Sequence, residues 1–229
     1  MSTLFIVASP IGNLKDISNR AILTLQSVNT IFAEDTRVTS KLLNHFEISG
    51  KKLVSINKDN EAQRFNQVLD VLAQEDTVLI SDAGTPLISD PGSLLLQKVY
   101  EAGYKVSPIP GASALSAFLS ICPLDFTGFI FEGFLPHGPK QRRRVLKKLL
   151  EEDKARPLVF FESPHRIKKT LEDIKNIFAD NEPKVFVARE LTKIYEQSYL
   201  GSAQEVLAEL EEQFPKDVQG EFVFILRLN

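Results

Sequence analysis

The sequence predicts a two-domain α/β protein, with a mostly parallel sheet flanked by helices in its first half and a mixed α+β sheet in its second. Three observations predict this. Short, near-continuously apolar runs alternate with amphipathic stretches up to residue 121, the pattern of buried parallel strands and their crossover helices. Beyond Pro123-Leu124-Asp125 the apolar runs turn aromatic and the crossovers thin out. The runs of the first half also end in cramped loops of Gly, Pro, Ser, Thr and Asp, and ligands of such sheets bind at the carboxyl ends of the strands. The expected domains are residues 1–121 and 122–229.

Taken in order, residues 4–8 (Leu-Phe-Ile-Val-Ala) read as the first strand, and a helix starts at Ser18 with Ala21, Ile22 and Leu25 at helical spacing. Strands follow at residues 30–33, 53–56, 77–80 and 105–109, with helices at 39–46, 61–74, 91–102 and 112–121. Asp90 and Pro91 read as the N-cap and first residue of the third of these helices. In the second half, strands are expected at 129–132, 158–161, 184–188, 197–200 and 221–228. A basic helix starts at Lys140, a second opens at Ser163-Pro164, and Ser202-Ala203-Gln204-Glu205 forms a capping box for a third.

Bulk properties exclude several classes. A net charge of −3 rules out gripping nucleic acid by global charge, so any such contact needs a local basic patch. One cysteine and three scattered histidines provide neither a disulfide nor metal-ligand spacing, and no metal is expected. The N-terminus lacks a basic n-region and a long apolar run, so the expectation is a cytoplasmic protein without a membrane partner.

Four loops follow strands of the first half: residues 9–14, Glu34-Asp35-Thr36-Arg37, residues 81–92, and Pro110-Gly111-Ala112-Ser113-Ala114. Parallel strands would gather all four on one edge. None is a G-x-G-x-x-G or P-loop phosphate cradle. S-adenosylmethionine fits loops of this kind, because its adenine needs an apolar slot and only its carboxylate needs anion recognition. The plainer reading of Glu34–Arg37 is a solvated loop with a cap and a local ion pair; the functional one is substrate contact. The cations Lys140, Arg142, Arg143, Arg144, Lys147 and Lys148 read either as a solvated helix face or as a phosphate-backbone contact. His165 and Arg166 are expected in a first helical turn, where the dipole disfavours cations, which suggests a use. Arg189-Glu190-Leu191-Thr192-Lys193 follows another strand, and its plainer reading is a surface ion-pair cluster.

Taken together, SPIGNL, EDTR, SDAGTPLISDPG, PGASA, FEGFLP, FFESPHR and RELTKIYE, in that order, resemble the 16S ribosomal RNA (cytidine-2′-O)-methyltransferase family of the tetrapyrrole-methylase superfamily. The resemblance runs from Leu4 to about Gly201. It implies S-adenosylmethionine in a trough between two α/β domains, a homodimer, and 2′-O-methylation of a cytidine in the decoding centre of 16S rRNA within the small ribosomal subunit. Carried over, it places Pro10, Asp82, Gly84, Thr85, Ile88, Ser113 and Ala114 around the cofactor, with Phe161 and Ala188 approaching from the second domain. Arg37, Arg142, Arg143, Arg144, His165, Arg166 and Lys193 are then substrate contacts, and Glu34 and Asp35 are the candidates for the base. Departures are Ser9 where Thr is usual, Ile121-Cys122-Pro123-Leu124 where Ser-Gly-Leu is usual, and an end at Asn229 where many members carry a further small helical domain. Two rival expectations are methylation of a tetrapyrrole and a non-catalytic ribosome-assembly factor that keeps the fold.

Overall fold

Five strands of the first half, β1 (Thr3–Val7), β2 (Thr30–Ala33), β3 (Lys52–Ser55), β4 (Thr77–Ile80) and β5 (Lys105–Ile109), form one all-parallel sheet in the order β3-β2-β4-β1-β5. They are seen in a computed structural model that describes residues 2–152 and 156–228. Alternation along each strand feeds two separate cores. Val7, Ile31, Ala33, Val78 and Ile80 pack with Ala21 and Leu25 of α1 (Asn19–Ser27) and Leu42 and Leu43 of α2 (Thr36–His45). Leu4, Ile6, Phe32 and Leu79 pack with Val68 and Leu72 of α3 (Glu61–Leu72) and Leu95 and Val99 of α4 (Ser93–Glu101). Helices therefore cover both faces, which is why these strands read as unbroken apolar runs.

The strand order also sets where a ligand can sit. The chain leaves β1 in one direction to reach β2 and leaves β4 in the other to reach β5. Right-handed crossovers send these two connections to opposite faces and open a crevice at the carboxyl ends of β1 and β4.

The start of α4 differs from expectation. It begins at Ser93, after Gly92 at φ 122°, and no side chain of its own segment caps it. Instead Oε1 of the buried Glu61, at the start of α3, accepts from the N–H of Leu95 at 2.9 Å. A carboxylate from the preceding helix thus satisfies the orphan donor, and Asp90 is released from capping. Helix α2 starts earlier than expected, because Asp35 accepts from the N–H of Arg37 and caps it.

The second half forms a mixed sheet of β6 (Ile130–Phe134), β7 (Leu158–Glu162), β8 (Lys184–Arg189), β9 (Gln197–Ser202) and β10 (Phe222–Arg227), in the order β6-β7-β10-β8-β9. Only β6 and β7 are parallel. One face packs Leu158, Phe160, Val187 and Phe224 against Leu146 of α6 (Pro139–Glu152), Leu171 of α7 (Ile167–Ile177) and Val206 of α8 (Ala203–Gln213). On the opposite face, Phe118 of α5 (Ala114–Ser120) stacks on Phe186 of β8 with ring centroids 5.2 Å apart. The chain divides into Met1–Ala114 and Leu115–Asn229, one residue into α5 and ahead of the expected point after residue 121. The expected capping box closes on α8, with Ser202 and Glu205 bonding reciprocally. Helix α7 starts at Ile167 instead of Ser163, because the Ser163 carbonyl closes a turn onto the N–H groups of Arg166 and Ile167. Among the described residues, no helix is long and apolar enough to cross a membrane.

Candidate active site

The loops after β1 and β4 are joined by backbone, and the loop after β5 is tied to them through a side chain. Ser9 and Gly84 exchange two hydrogen bonds, N–H of Ser9 to the Gly84 carbonyl at 2.9 Å and N–H of Gly84 to the Ser9 carbonyl at 3.1 Å. Thr85 Oγ1 donates to the carbonyl of Ala112 at 3.1 Å, which ties in the third loop. Gly84 adopts φ 85°, a conformation that disfavours a side chain. A Cβ there would stand 3.2 Å from Ile11 Cγ2 and 3.9 Å from Ser113 Cα. Pro10, Gly84, Thr85, Ser113 and Ala114 thus belong to segments that the structure brings together. Ser9 Oγ lies beside this clasp, buried and without a partner.

A second set of contacts joins the loops after β2 and β4. Asp82 Oδ1 accepts from the N–H of Asp35 at 2.9 Å, and Glu34 Oε2 accepts from the N–H of Asp82 at 3.3 Å. Each loop's carboxylate holds the other's backbone. Asp90 joins them from the end of its loop, with Ser81, Glu34, Asp82 and Lys58 as its polar and charged neighbours. Leu87 and Ser89, in the left-handed region at φ 75° and 72°, shape the turn that brings it back. Burial, reinforced by Glu34, pushes the Asp90 carboxyl up to about 6. Burial also raises Asp82. Ser81 Oγ, a neighbour of Asp90, donates to the Gly84 carbonyl at 3.2 Å.

Asp35 is differently placed. Both of its oxygens bind the Arg37 guanidinium, with the closest contact 2.6 Å. Those bonds and the Arg37 N–H bring its carboxyl down to about 2. A carboxylate held so acidic and already capping α2 is a poor proton acceptor. Glu34 remains available, and Asp90, expected only as a cap, joins it. The signal for Asp90 was its position at the end of an overlong loop. The Arg37 side chain is 86 % exposed outside its pair with Asp35.

In the second unit, Phe161 and Ala188 stand at one level on either side of Val223 of β10. Three expected substrate contacts turn out to be engaged internally. The Arg142 side chain is 4 % exposed and binds Asp173 of α7 through Nε at 2.8 Å and Nη2 at 2.6 Å, so it fastens two helices. Arg166 donates to Glu162 Oε1 at 2.7 Å and to the Leu135 carbonyl at 2.9 Å. Lys193 pairs with Glu190 and Glu221, as the plainer reading had it. His165, in the turn before α7, is exposed, as are Arg143 and Arg144 on α6.

The comparisons with known proteins agree on one kind of molecule. Residues 3–207 match the family of tetrapyrrole (corrin/porphyrin) methylases. The chain is 45 % identical over 216 residues to ribosomal RNA small subunit methyltransferase I of Thermotoga maritima, covering 94 % of this chain and 95 % of that protein. It is 42 % identical over 225 residues to the protein of the same name from Neisseria meningitidis serogroup B, covering 98 % and 75 %. Among solved structures it resembles a cobalt precorrin-4 methyltransferase with a TM-score of 0.70 at 14 % identity, covering 98 % of this chain and 94 % of that one. It also resembles the Thermus thermophilus uroporphyrin-III C-methyltransferase complexed with S-adenosylhomocysteine, with a TM-score of 0.65 at 16 % identity, covering 99 % and 97 %. At these identities the two structures establish the fold.

Proposed function

This chain belongs to the tetrapyrrole (corrin/porphyrin) methylase family, and within it to the ribosomal RNA small subunit methyltransferases I; from that premise we propose that it methylates the ribose 2′-hydroxyl of a cytidine in small-subunit ribosomal RNA. The observation that carries the reading is the Ser9–Gly84 clasp at the switch point of a parallel sheet. S-adenosylmethionine, when bound, supplies a methyl group activated by a sulfonium. The residues present fit it. Gly84 leaves the backbone bare where a Cβ would be crowded, the buried Ser9 hydroxyl lacks a partner, and no motif of the loops demands a phosphate.

The chain's own residues supply position and proton transfer. The clasp and the Thr85–Ala112 bond fix three loops relative to one another, and holding reactants in place accounts for much of such a reaction. Glu34 and Asp90 stand together on the same edge of the sheet, and a carboxyl near 6 is ionised at neutral pH yet basic enough to accept a proton. The exposed cations of α6 support this reading, because a chain of net charge −3 needs a local positive patch for RNA. Mapping ribose methylation in the ribosomal RNA of a strain lacking the gene tests this. One small-subunit 2′-O-methyl group should disappear and return with the wild-type gene. An unchanged map would overturn the reading.

A further inference from the structure

The loop after β3 meets the loop after β4 on both sides of Asp90. Lys58 Nζ donates to the carbonyl of Ser89, the residue before Asp90, at 3.4 Å, and Glu61 accepts from the N–H of Leu95 in the first turn of α4. The segment between these two contacts is closed on itself by its asparagines. Asn57 Oδ1 accepts from the N–H groups of Asp59 and Asn60 at 3.0 and 3.1 Å, and Asn60 Oδ1 accepts from the N–H of Asn57 at 2.9 Å. Asn60 Nδ2 also donates to the Ser55 carbonyl at 3.3 Å, and Ser55 Oγ donates to the Glu34 carbonyl at 3.3 Å, which ties the turn to the loop after β2. Three loops thus converge on one carboxyl.

Lys58 itself is exposed, so the fold gains little from ordering its long stem. Its charge has a nearer use. Burial opposes the ionisation of Asp90, as do the carboxylates of Glu34 after β2 and Asp82 at the start of its own loop; the ammonium of Lys58, after β3, favours it. We propose that Lys58 is a positioning residue for the proton transfer: by holding the Ser89 carbonyl it fixes where the long loop turns back, and by its charge it keeps the Asp90 carboxylate ionised when the ribose hydroxyl arrives. The hydroxyl proton then passes to Asp90 and leaves the oxygen its electron pair for the incoming methyl group. This rests on the reading of Asp90 as a proton acceptor given above, and it adds the loop after β3 to the site.

The test uses the full chain and small ribosomal subunits from a strain lacking the gene, with kcat and KM measured from about pH 5 to about pH 9. Lys58→Met should move the acid limb of kcat to higher pH. Its loss of rate at pH 6 should exceed that at pH 8 by about 2- to 10-fold, the effect of removing one opposite charge beside a part-buried carboxyl. Lys58→Arg should return the limb to its wild-type place. Both variants should be folded by circular dichroism and keep wild-type affinity for S-adenosylhomocysteine. A pH profile in Lys58→Met superimposable on that of the wild type would overturn the proposal. So would a loss equal at every pH, in kcat or in KM, since Lys58 would then hold the loop or a substrate phosphate without acting on the charge of Asp90. Asp90→Asn should lose most of the rate, and the limb with it. Wild-type rate and limb in Asp90→Asn would remove the reading of Asp90 as the acceptor, a different failure.

Discussion

Asp90 and Gly84 concentrate the chemistry of the first unit. The Ser81 hydroxyl donates to the Gly84 carbonyl, and as a polar neighbour of Asp90 it only partly offsets the burial that raises that carboxyl. The stability consequence has a definite sign. With its carboxyl raised from 3.8 to about 6, Asp90 contributes stability that is full below its unfolded value and lost as pH rises towards 6. Asp35, lowered to about 2, acts the other way, and its contribution is lost only at more acid pH. Asp90→Asn should therefore gain in melting temperature relative to wild type as pH rises from 4 to 6; a constant difference across that window would show that Asp90 does not titrate there. Gly84→Val places a branched side chain at φ 85° within reach of Ile11 and Ser113. Calorimetry should find S-adenosylhomocysteine binding abolished in a variant that circular dichroism shows to be folded. Undiminished affinity would place the cofactor elsewhere.

At the scale of the element, α6 has two faces with different duties. Arg142 points its charge into a buried pair with Asp173, while Arg144 is exposed. Arg142→Gln leaves the buried Asp173 with its longer, 3.8 Å contact to Arg143 and should cost about 3 kcal/mol, read by chemical denaturation. Arg144→Gln should stay within about 0.5 kcal/mol of wild type in stability, yet reduce the salt slope of RNA binding. Equal destabilisation by both would contradict this division. The helical phase of Arg142 was legible, since Val145 and Leu146 share its face at i+3 and i+4. Its partner, on a different helix, was not. The apolar runs of β1, β2 and β4 announced a buried parallel sheet because alternation and double burial write themselves into composition. The start of α4 was hidden because its cap, Glu61, lies 34 residues from Leu95, and local rules favour the nearer Asp90. The bulge in β6 was equally silent: the expected strand ended at residue 132, and only its partner, with Phe131 opposite Val159 and Phe134 opposite Phe161, fixes the count.

For the molecule as a whole, charge limits how RNA is engaged. With net charge −3 and the exposed basic residues of α6 as its local patch, the chain can neutralise few phosphates, and naked RNA should bind weakly. Pairing as a homodimer would double that face, and a folded small subunit would add shape. Methyl incorporation should therefore be far faster on assembled or late-precursor small subunits than on protein-free RNA; equal rates on both would show that the chain reads RNA unaided. The strand order has one more consequence, and it falls at birth. Strand β1, with its run Leu-Phe-Ile-Val, is made before both of its neighbours and lies between β4 and β5, with Thr3 beside Lys105. A ribosome adding about 5–20 residues per second must reach β5 before both flanks of β1 are covered. For those seconds the nascent chain carries a bare, uncharged, aggregation-prone strand. A protein proposed to serve the ribosome would thus depend, during its own synthesis, on whatever shelters a nascent chain.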